Sequence, residues 1–366
     1  MIDYLTKMDT NKVLYELLKA GLWGTPPLLT KQLSSEKWVE IKQLAYEQTI
    51  SGLIFDGLNL IDADKRPSKE FIMQWFANIM IIEKANTKMN MLIPKLAPIT
   101  KGSVLLKGQR VAKCYKNPAH RQSGDIDLFF YHQKDYENAK EQLSQIAEHI
   151  GGEEKDRKHF DCTLQKMVVE LHGEIKTQIK SKTDKNFTAL IKNHFDNYSF
   201  DVNEETGYCA APINFDCLFV FVHMLQHYFN SGVGLRQICD WMAYTDYYFQ
   251  QIDQQQLKED IHSLGLIKEW QVFGNMAVNY LGFPQEKMPF FEKKYKKAGE
   301  KVLQQVMKSG NFGRNLYFKN RPKNYFLGKL FTFYQNNKMR MGNLLIFPQE
   351  ALYGIPHLIK NGIKRL

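Results

Sequence analysis

Asp125 and Asp127, in the run Ser123-Gly124-Asp125-Ile126-Asp127-Leu128-Phe129-Phe130, are the residues whose types and spacing bear most directly on chemistry. The apolar stretch from Ile126 to Tyr131 predicts a strand. On a strand, residues i and i+2 share a face, with Cα atoms roughly 6.5–7 Å apart. Both carboxylates then project together, while Ile126 and Leu128 point into the layer beneath. Two like charges on one face repel unless a cation lies between them. Mg²⁺ (or Mn²⁺) suits that place, because Mg²⁺ takes hard oxygen ligands and keeps waters and phosphate oxygens in its shell. A pair of such ions clamping the two oxygens of a phosphoryl displacement needs a further carboxylate from a neighbouring strand. Glu170, in Met167-Val168-Val169-Glu170-Leu171-His172, is the candidate.

A lone D-x-D specifies little, so the elements around it matter. Val104-Leu105-Leu106 reads as a short buried strand, followed by Lys107-Gly108 and a helix to Tyr115; Asn117-Pro118 then turns the chain. Gly108 at a helix start lets backbone N–H groups approach a phosphate, and Gly124 is expected to allow a sharp turn before the carboxylates. Asp135 to Ile150 reads as a helix ended by Gly151-Gly152, and His159–Gln165 and Met167–Leu171 as two paired strands. Upstream, helices are expected around Val13–Leu18, from Trp38 to Phe55 and from Ser68 to Ile93, closed by Pro94 and Pro98. After Pro212 the chain is helical again, with further segments to Lys308 and one at Tyr325–Met339. The expected class is α+β: a small mixed-sheet core with helices, flanked by N-terminal and C-terminal helical regions. The boundaries expected are 1–98 helical, 99–200 core, 201–310 helical and 311–366 basic tail.

The run Leu105-Leu106-Lys107-Gly108, with Tyr115, Pro118, Arg121 and Gly124-Asp125-Ile126-Asp127-Leu128, resembles the signature of a poorly characterised bacterial nucleotidyltransferase family in the DNA-polymerase-β-like superfamily. Glu170-Leu171-His172 is similar to that family's acidic strand, and Gly234-Leu235-Arg236-Gln237-Ile238-Cys239-Asp240-Trp241 to its helical domain. The resemblance spans roughly Leu105 to Trp241. It implies a polymerase-β-like core and transfer of a nucleoside monophosphate from an NTP to a small-molecule, protein or RNA acceptor. On that reading Asp125, Asp127 and Glu170 are catalytic metal ligands. Lys107, Gly108, Arg121, Ser123, Gly124, His172, Arg236 and Asp240 bind substrate. The sequence departs from the pattern at Gln109, where Gly or Ser is usual, and at Glu170, where Asp is common.

Several residues carry two readings. Arg236 and Asp240 are either an exposed i,i+4 pair, contributing about 0.2–0.5 kcal/mol, or a phosphate-binding guanidinium and its orienting acid. Lys107 and Arg121 either meet the triphosphate or face solvent, and His172 either moves a proton or supports Glu170. His223 and His227 lie four apart, but no Glu follows His223, so they read as packed rather than zinc-binding. Tyr247 and Tyr248 read as packing residues rather than a base-stacking platform.

The bulk composition sets outer limits. With 366 residues, 44% hydrophobic and 24% charged, the chain can bury real cores. Its longest apolar run, Phe215–Phe229, is too short and too polar to span a membrane. The start lacks the apolar core of a signal peptide, and the five cysteines form no C-x-x-C pair, which suits reduced thiols in a cytoplasmic protein. The net charge of +10 is uneven: from Lys293 onward, sixteen Lys or Arg face only Glu300 and Glu350. That tail is expected to contact a polyanion. A reading from a different class is a regulatory or toxin–antitoxin-type interaction protein that keeps the fold.

Overall fold

The computed structural model describes residues 10–29, 31–154, 158–204, 206–317 and 321–353. Its N-terminal part is four helices: α1 (Thr10–Trp23), α2 (Ser35–Glu47), α3 (Ser51–Asn59) and α4 (Lys69–Leu96). Ser34 and Ser68 cap α2 and α4, each side chain accepting from the backbone N–H three residues on. This satisfies one of the donors left open at a helix start. The single helix expected over Trp38–Phe55 is two. The chain breaks at Thr49, which holds φ +54°, and the Gln48 side chain leaves the helix line. Its amide donates to Val306 O and Met307 O, and its Oε1 accepts from Leu235 N. Helix α4 passes through Pro94 to Leu96. That proline lies so near the C-terminus that few helical bonds are disturbed.

Next come β1 (Ser103–Leu106), α5 (Gly108–Ala112), β2 (Asp125–Phe130), α6 (Gln133–Ile146), β3 (His149–Glu154), β4 (His159–Leu164) and β5 (Met167–His172). They form one mixed sheet in the order β1-β2-β5-β4-β3, with β2 and β5 parallel and the other pairs antiparallel. Strand β3 is a correction to the helix expected as far as Ile150. The buried face of α6 stops at Tyr136, Ala139 and Leu143. The chain then pairs with β4 through an irregularity between Ile150 and Gly152, a place where glycines favour a bulge. Beyond β1, the segment at Cys209–Ala210 covers the sheet edge, with Leu105 N donating to Cys209 O.

Strand alternation separates the two sides of the sheet. Leu105, Ile126, Leu128, Phe130, Val169 and Leu171 form one core with the end of α4 and with α6. Val104, Leu106 and Phe129 face the other core. That larger core takes in α7 (Ser181–Phe195), α8 (Ile213–Asn230), α9 (Leu235–Tyr247), α10 (Gln254–Leu264), α11 (Ile267–Tyr280) and α12 (Lys296–Ser309); α13 (Arg314–Tyr317) and α14 (Tyr325–Asn343) follow. Helix α7 was not anticipated, although Phe187, Leu190, Ile191 and Phe195 give it a helical apolar stripe. Among the described residues no helix is long and apolar enough to cross a membrane. The cysteines are free thiols, four of them buried.

Gly52 on α3 ties the helical region to the turn that leads into β2. A Cβ there would stand 2.1 Å from the His120 carbonyl oxygen. Gly52→Ala must push α3 off that turn, and overpacking of this kind costs about 1–3 kcal/mol. Urea unfolding should show a lower midpoint at an unchanged slope; an unaltered midpoint would mean the contact relaxes freely.

Candidate active site

The register between the parallel strands places the acids. Asp127 on β2 lies opposite Glu170 on β5, and Asp125 shares the Asp127 face. Carboxylate oxygens of the three residues lie within 4.8 Å of one another. Asp127 is fully buried, whereas Asp125 and Glu170 are partly exposed and line a cleft of about 350 Å³. The antiparallel partner β4 adds His159 directly across from His172. His159 Nε2 lies 3.4 Å from Glu170 Oε2, and His172 Nε2 donates to Asp127 Oδ1 at 3.0 Å.

Lys107 supplies the nearest cation. It leaves β1 with φ +47° and ψ −140°, a region that strongly favours glycine and costs a β-carbon residue on the order of 1–3 kcal/mol. Gly108 follows with φ +40°. From this strained corner the Lys107 ammonium donates to Asp127 Oδ1 at 2.9 Å and to His223 Nε2 at 3.3 Å. Burial works to raise the Asp127 carboxyl, but Lys107 and His172 outweigh it and hold it well below the usual carboxylate range. Asp125 moves the opposite way: the charge on Asp127, then burial, pushes it up. Asp127 Oδ2 is buried and accepts no hydrogen bond.

On the other side stands Asp240 of α9. Arg121 grips it with two hydrogen bonds, Nε to Oδ1 at 2.6 Å and Nη2 to Oδ2 at 2.7 Å, and Tyr115 OH donates to Oδ1 at 2.6 Å. The helical-turn pairing of Arg236 with Asp240 is replaced by this grip, because Asp240 turns towards the loop before β2. Arg236 instead donates Nη1 to Gln122 O at 2.9 Å, and its buried Nε has no partner. Burial and the adjacent Arg121 guanidinium lower its pKa, which marks a cation short of negative partners.

Among the other expected substrate residues, Lys107, Gly108, Arg121, His172, Arg236 and Asp240 line the cleft. The Ser123 hydroxyl is taken by Arg121 Nη1 at 2.8 Å, with Gln109 Nε2 at 3.5 Å. Gly124 has no left-handed backbone, and a Cβ there would meet nothing within 4 Å, so the expected sharp turn does not require glycine. Gln109 also donates to Asn86 Oδ1, filling the space beside Gly108 with a buried amide.

His223 and His227 are packed, as their helical neighbours suggest, and they also form a wall of the cleft. Burial and Lys107 hold both imidazoles neutral, His227 with a pKa near 3. Since Lys107 donates to His223 Nε2, that nitrogen is an acceptor. The His227 Nε2 contact of 3.0 Å is then a donation from His227 that shares the same single lone pair with Lys107, leaving His227 Nδ1 to accept from Ser231 at 3.2 Å. His159 and Phe312 also line the cleft and were not singled out from the sequence. For His159 the signal was its position directly opposite His172 in two alternating strands.

A sheet whose central parallel strands bring three carboxylates to one cleft, opposite a strained Lys-Gly corner and an under-paired arginine, defines a nucleotidyltransferase core. The family model described as uncharacterised nucleotidyltransferase matches residues 34–282. The chain belongs to that family, and all the acids and cations just described lie within the matched span. No curated protein and no solved structure matches the chain.

The Arg121–Asp240 pair predicts a separation of roles. Removing one partner of a buried pair leaves an uncompensated charge, at a cost of about 3–5 kcal/mol. Arg121→Met should lose stability of that order in urea unfolding. Unchanged stability combined with weakened nucleotide binding would instead make Arg121 a direct phosphate ligand.

Proposed function

We propose that the protein moves a nucleoside monophosphate from an NTP to an acceptor, releasing pyrophosphate, with Mg²⁺ (or Mn²⁺) held by Asp125, Asp127 and Glu170. The observation that carries this reading is a matched pair of unmet demands around one cleft: a buried carboxylate oxygen, Asp127 Oδ2, and a buried guanidinium N–H, Arg236 Nε. A buried polar group without a partner is costly. A divalent cation answers the first and a phosphate the second. The donor set fits a hard cation, being three carboxylates whose oxygens lie within 4.8 Å of one another.

In the reaction an acceptor oxygen bonds to the α-phosphorus, the bond to the β-bridging oxygen breaks, and the acceptor hydroxyl gives up its proton. Divalent cations held by Asp125, Asp127 and Glu170 would supply charge neutralisation for the phosphate oxygens. The chain's own groups do the rest. Asp127 stays ionised because Lys107 and His172 hold it so. Arg236 takes a phosphate oxygen through Nε, and Arg121 with Asp240 keeps α9 and the loop before β2 in register for it. Glu170, flanked by His159 and His172, completes the metal site on this reading, and its carboxylate is the proposed acceptor for the hydroxyl proton. The acceptor is a small molecule, a protein or an RNA.

An interaction protein without chemistry has no use for an acid cluster built around a buried carboxylate with an unpartnered oxygen. A direct test is calorimetric titration of each NTP with Mg²⁺ or Mn²⁺, followed by transfer from labelled NTP into a cell extract. Asp125→Asn is the cleaner active-site variant, since Asp127→Asn would also strip Lys107 of its partner. It should fold normally and lower transfer about a thousandfold or more. Transfer within tenfold of the parent would remove Asp125 from the catalytic set.

The excess of positive charge after Lys293 supports a separate polyanion contact. Arg321 and Lys323 are exposed, at the approach to α14, whose face includes exposed Tyr325, Phe326 and Leu330; Lys319 lies outside the described residues. A contact of this kind releases counterions and weakens steeply with salt. Neutralising Arg321 and Lys323 should reduce the salt-sensitive part of RNA binding and leave NTP affinity unchanged at low and high salt. The reverse pattern would join these residues to the active site.

A further inference from the structure

Phe312 stands out from the cleft that surrounds it. Apart from Gly108 and the half-buried Ile175, the other walls are charged, amide or imidazole groups, and the cleft's second phenylalanine, Phe219, is buried against Phe215. Phe312 remains 43% exposed, with its ring edge-on to His227 at 4.9 Å. Its backbone sits in the left-handed region, φ 52° and ψ 33°, between Gly310 at φ 67° and Gly313 at φ 66°. A phenylalanine gains nothing for folding from that conformation while its ring is left in water, and such strain gathers where function requires it.

The loop that presents Phe312 is firmly held. Asn311 is buried, and its Oδ1 accepts from Gln237 Nε2 at 2.9 Å. A Cβ on Gly232 would lie 2.8 Å from Gly313 N, and one on Gly234 would lie 3.0 Å from Asn311 Cβ. The loop therefore docks on the Gly232–Gly234 turn that opens α9 and carries Arg236. Its ring is joined to the acids through His227, His223 and Lys107 by successive contacts of 3.0, 3.3 and 2.9 Å. A flat apolar surface, set off from the acid cluster by two neutral imidazoles and the Lys107 ammonium, matches the layout of a nucleotide: metal, phosphates, then base.

We propose that Phe312 is the platform on which the nucleobase stacks. The inference rests on the nucleotide reading above and adds the base subsite, supplied from outside the span that matches the family. Stacking on an aromatic ring is tolerant of base identity and is typically worth about tenfold to a hundredfold in affinity. With no exposed hydrogen-bonding edge of its own, the ring selects a base from no base rather than one base from another.

The test uses the full chain, Mg²⁺, the four NTPs and inorganic tripolyphosphate as a base-free probe. Phe312→Ala should weaken every NTP about tenfold to a hundredfold and leave tripolyphosphate binding unchanged, and Phe312→Trp should restore NTP affinity. Tripolyphosphate binding by the alanine variant also reports that the cleft remains folded. If Phe312→Ala binds NTPs as the parent does, the platform is wrong and the nucleotide reading stands. Equal losses for NTP and tripolyphosphate would overturn it too, making Phe312 a support for the loop. A parent chain that binds neither probe overturns the nucleotide reading and the platform together.

Discussion

Asp127 carries its negative charge in a position closed to water, and much of the surrounding structure serves to keep it there. Burying a carboxylate alone costs several kcal/mol, so the ion must be met by groups already in place. The antiparallel ladder sets Leu106 of β1 against Asp127, and Lys107, the next residue, turns back over the strand end through its strained backbone. The parallel ladder brings β5 alongside, with Glu170 in register and His172 two residues on, so the imidazole reaches the same oxygen. The sheet order and the corner at Lys107-Gly108 converge on this one ion.

The helical regions answer the second electrostatic problem, the placing of positive charge. Arg121 is buried and Arg236 half-buried beside Asp240, and Arg121 takes both of its oxygens. That leaves Arg236 under-neutralised next to the cleft. Its position is set from three sides: Gln48 Oε1 accepts from Leu235 N, Gln122 O accepts from the guanidinium, and Asn311 packs against Gly234. Residues from the first helices, the core and the end of the chain meet at one helix start.

The acid cluster was legible in the sequence because strand alternation is a strict geometric rule. Asp125, Asp127 and Glu170 needed only two strands and their neighbourhood, and the apolar residues between them identified the buried side. The fold class followed from the change of period around Val104 and again after Pro212. What was not legible depended on long-range partners. Nothing local distinguishes Arg121 as the partner of Asp240, since the two are joined only when α9 docks beside the loop before β2. The break between α2 and α3 is likewise decided by Gln48 bonding to residues near 306 and 235. Strand β3 and helix α7 were missed for different reasons. The first hid behind glycines that look like a helix stop, while the second carried a readable apolar stripe.

The two oxygens of Asp127 have different work, and the difference explains how the cleft stays ordered before any ligand enters. Oδ1 receives both protein donors, the Lys107 ammonium and the His172 imidazole. These bonds fix the rotation of the carboxylate. Oδ2 receives none. A cation arriving at Oδ2 therefore displaces neither Lys107 nor His172 and finds the carboxylate already turned. The neutral state of His223 and His227 follows the same logic, because a charged imidazole beside Lys107 would compete with it for Asp127 and repel it. Neutral, His223 accepts from Lys107 and keeps the ammonium aimed at Oδ1. The carboxylate is thus oriented by the protein, with the hydrogen bonds on one oxygen and the lone pairs of the other uncommitted.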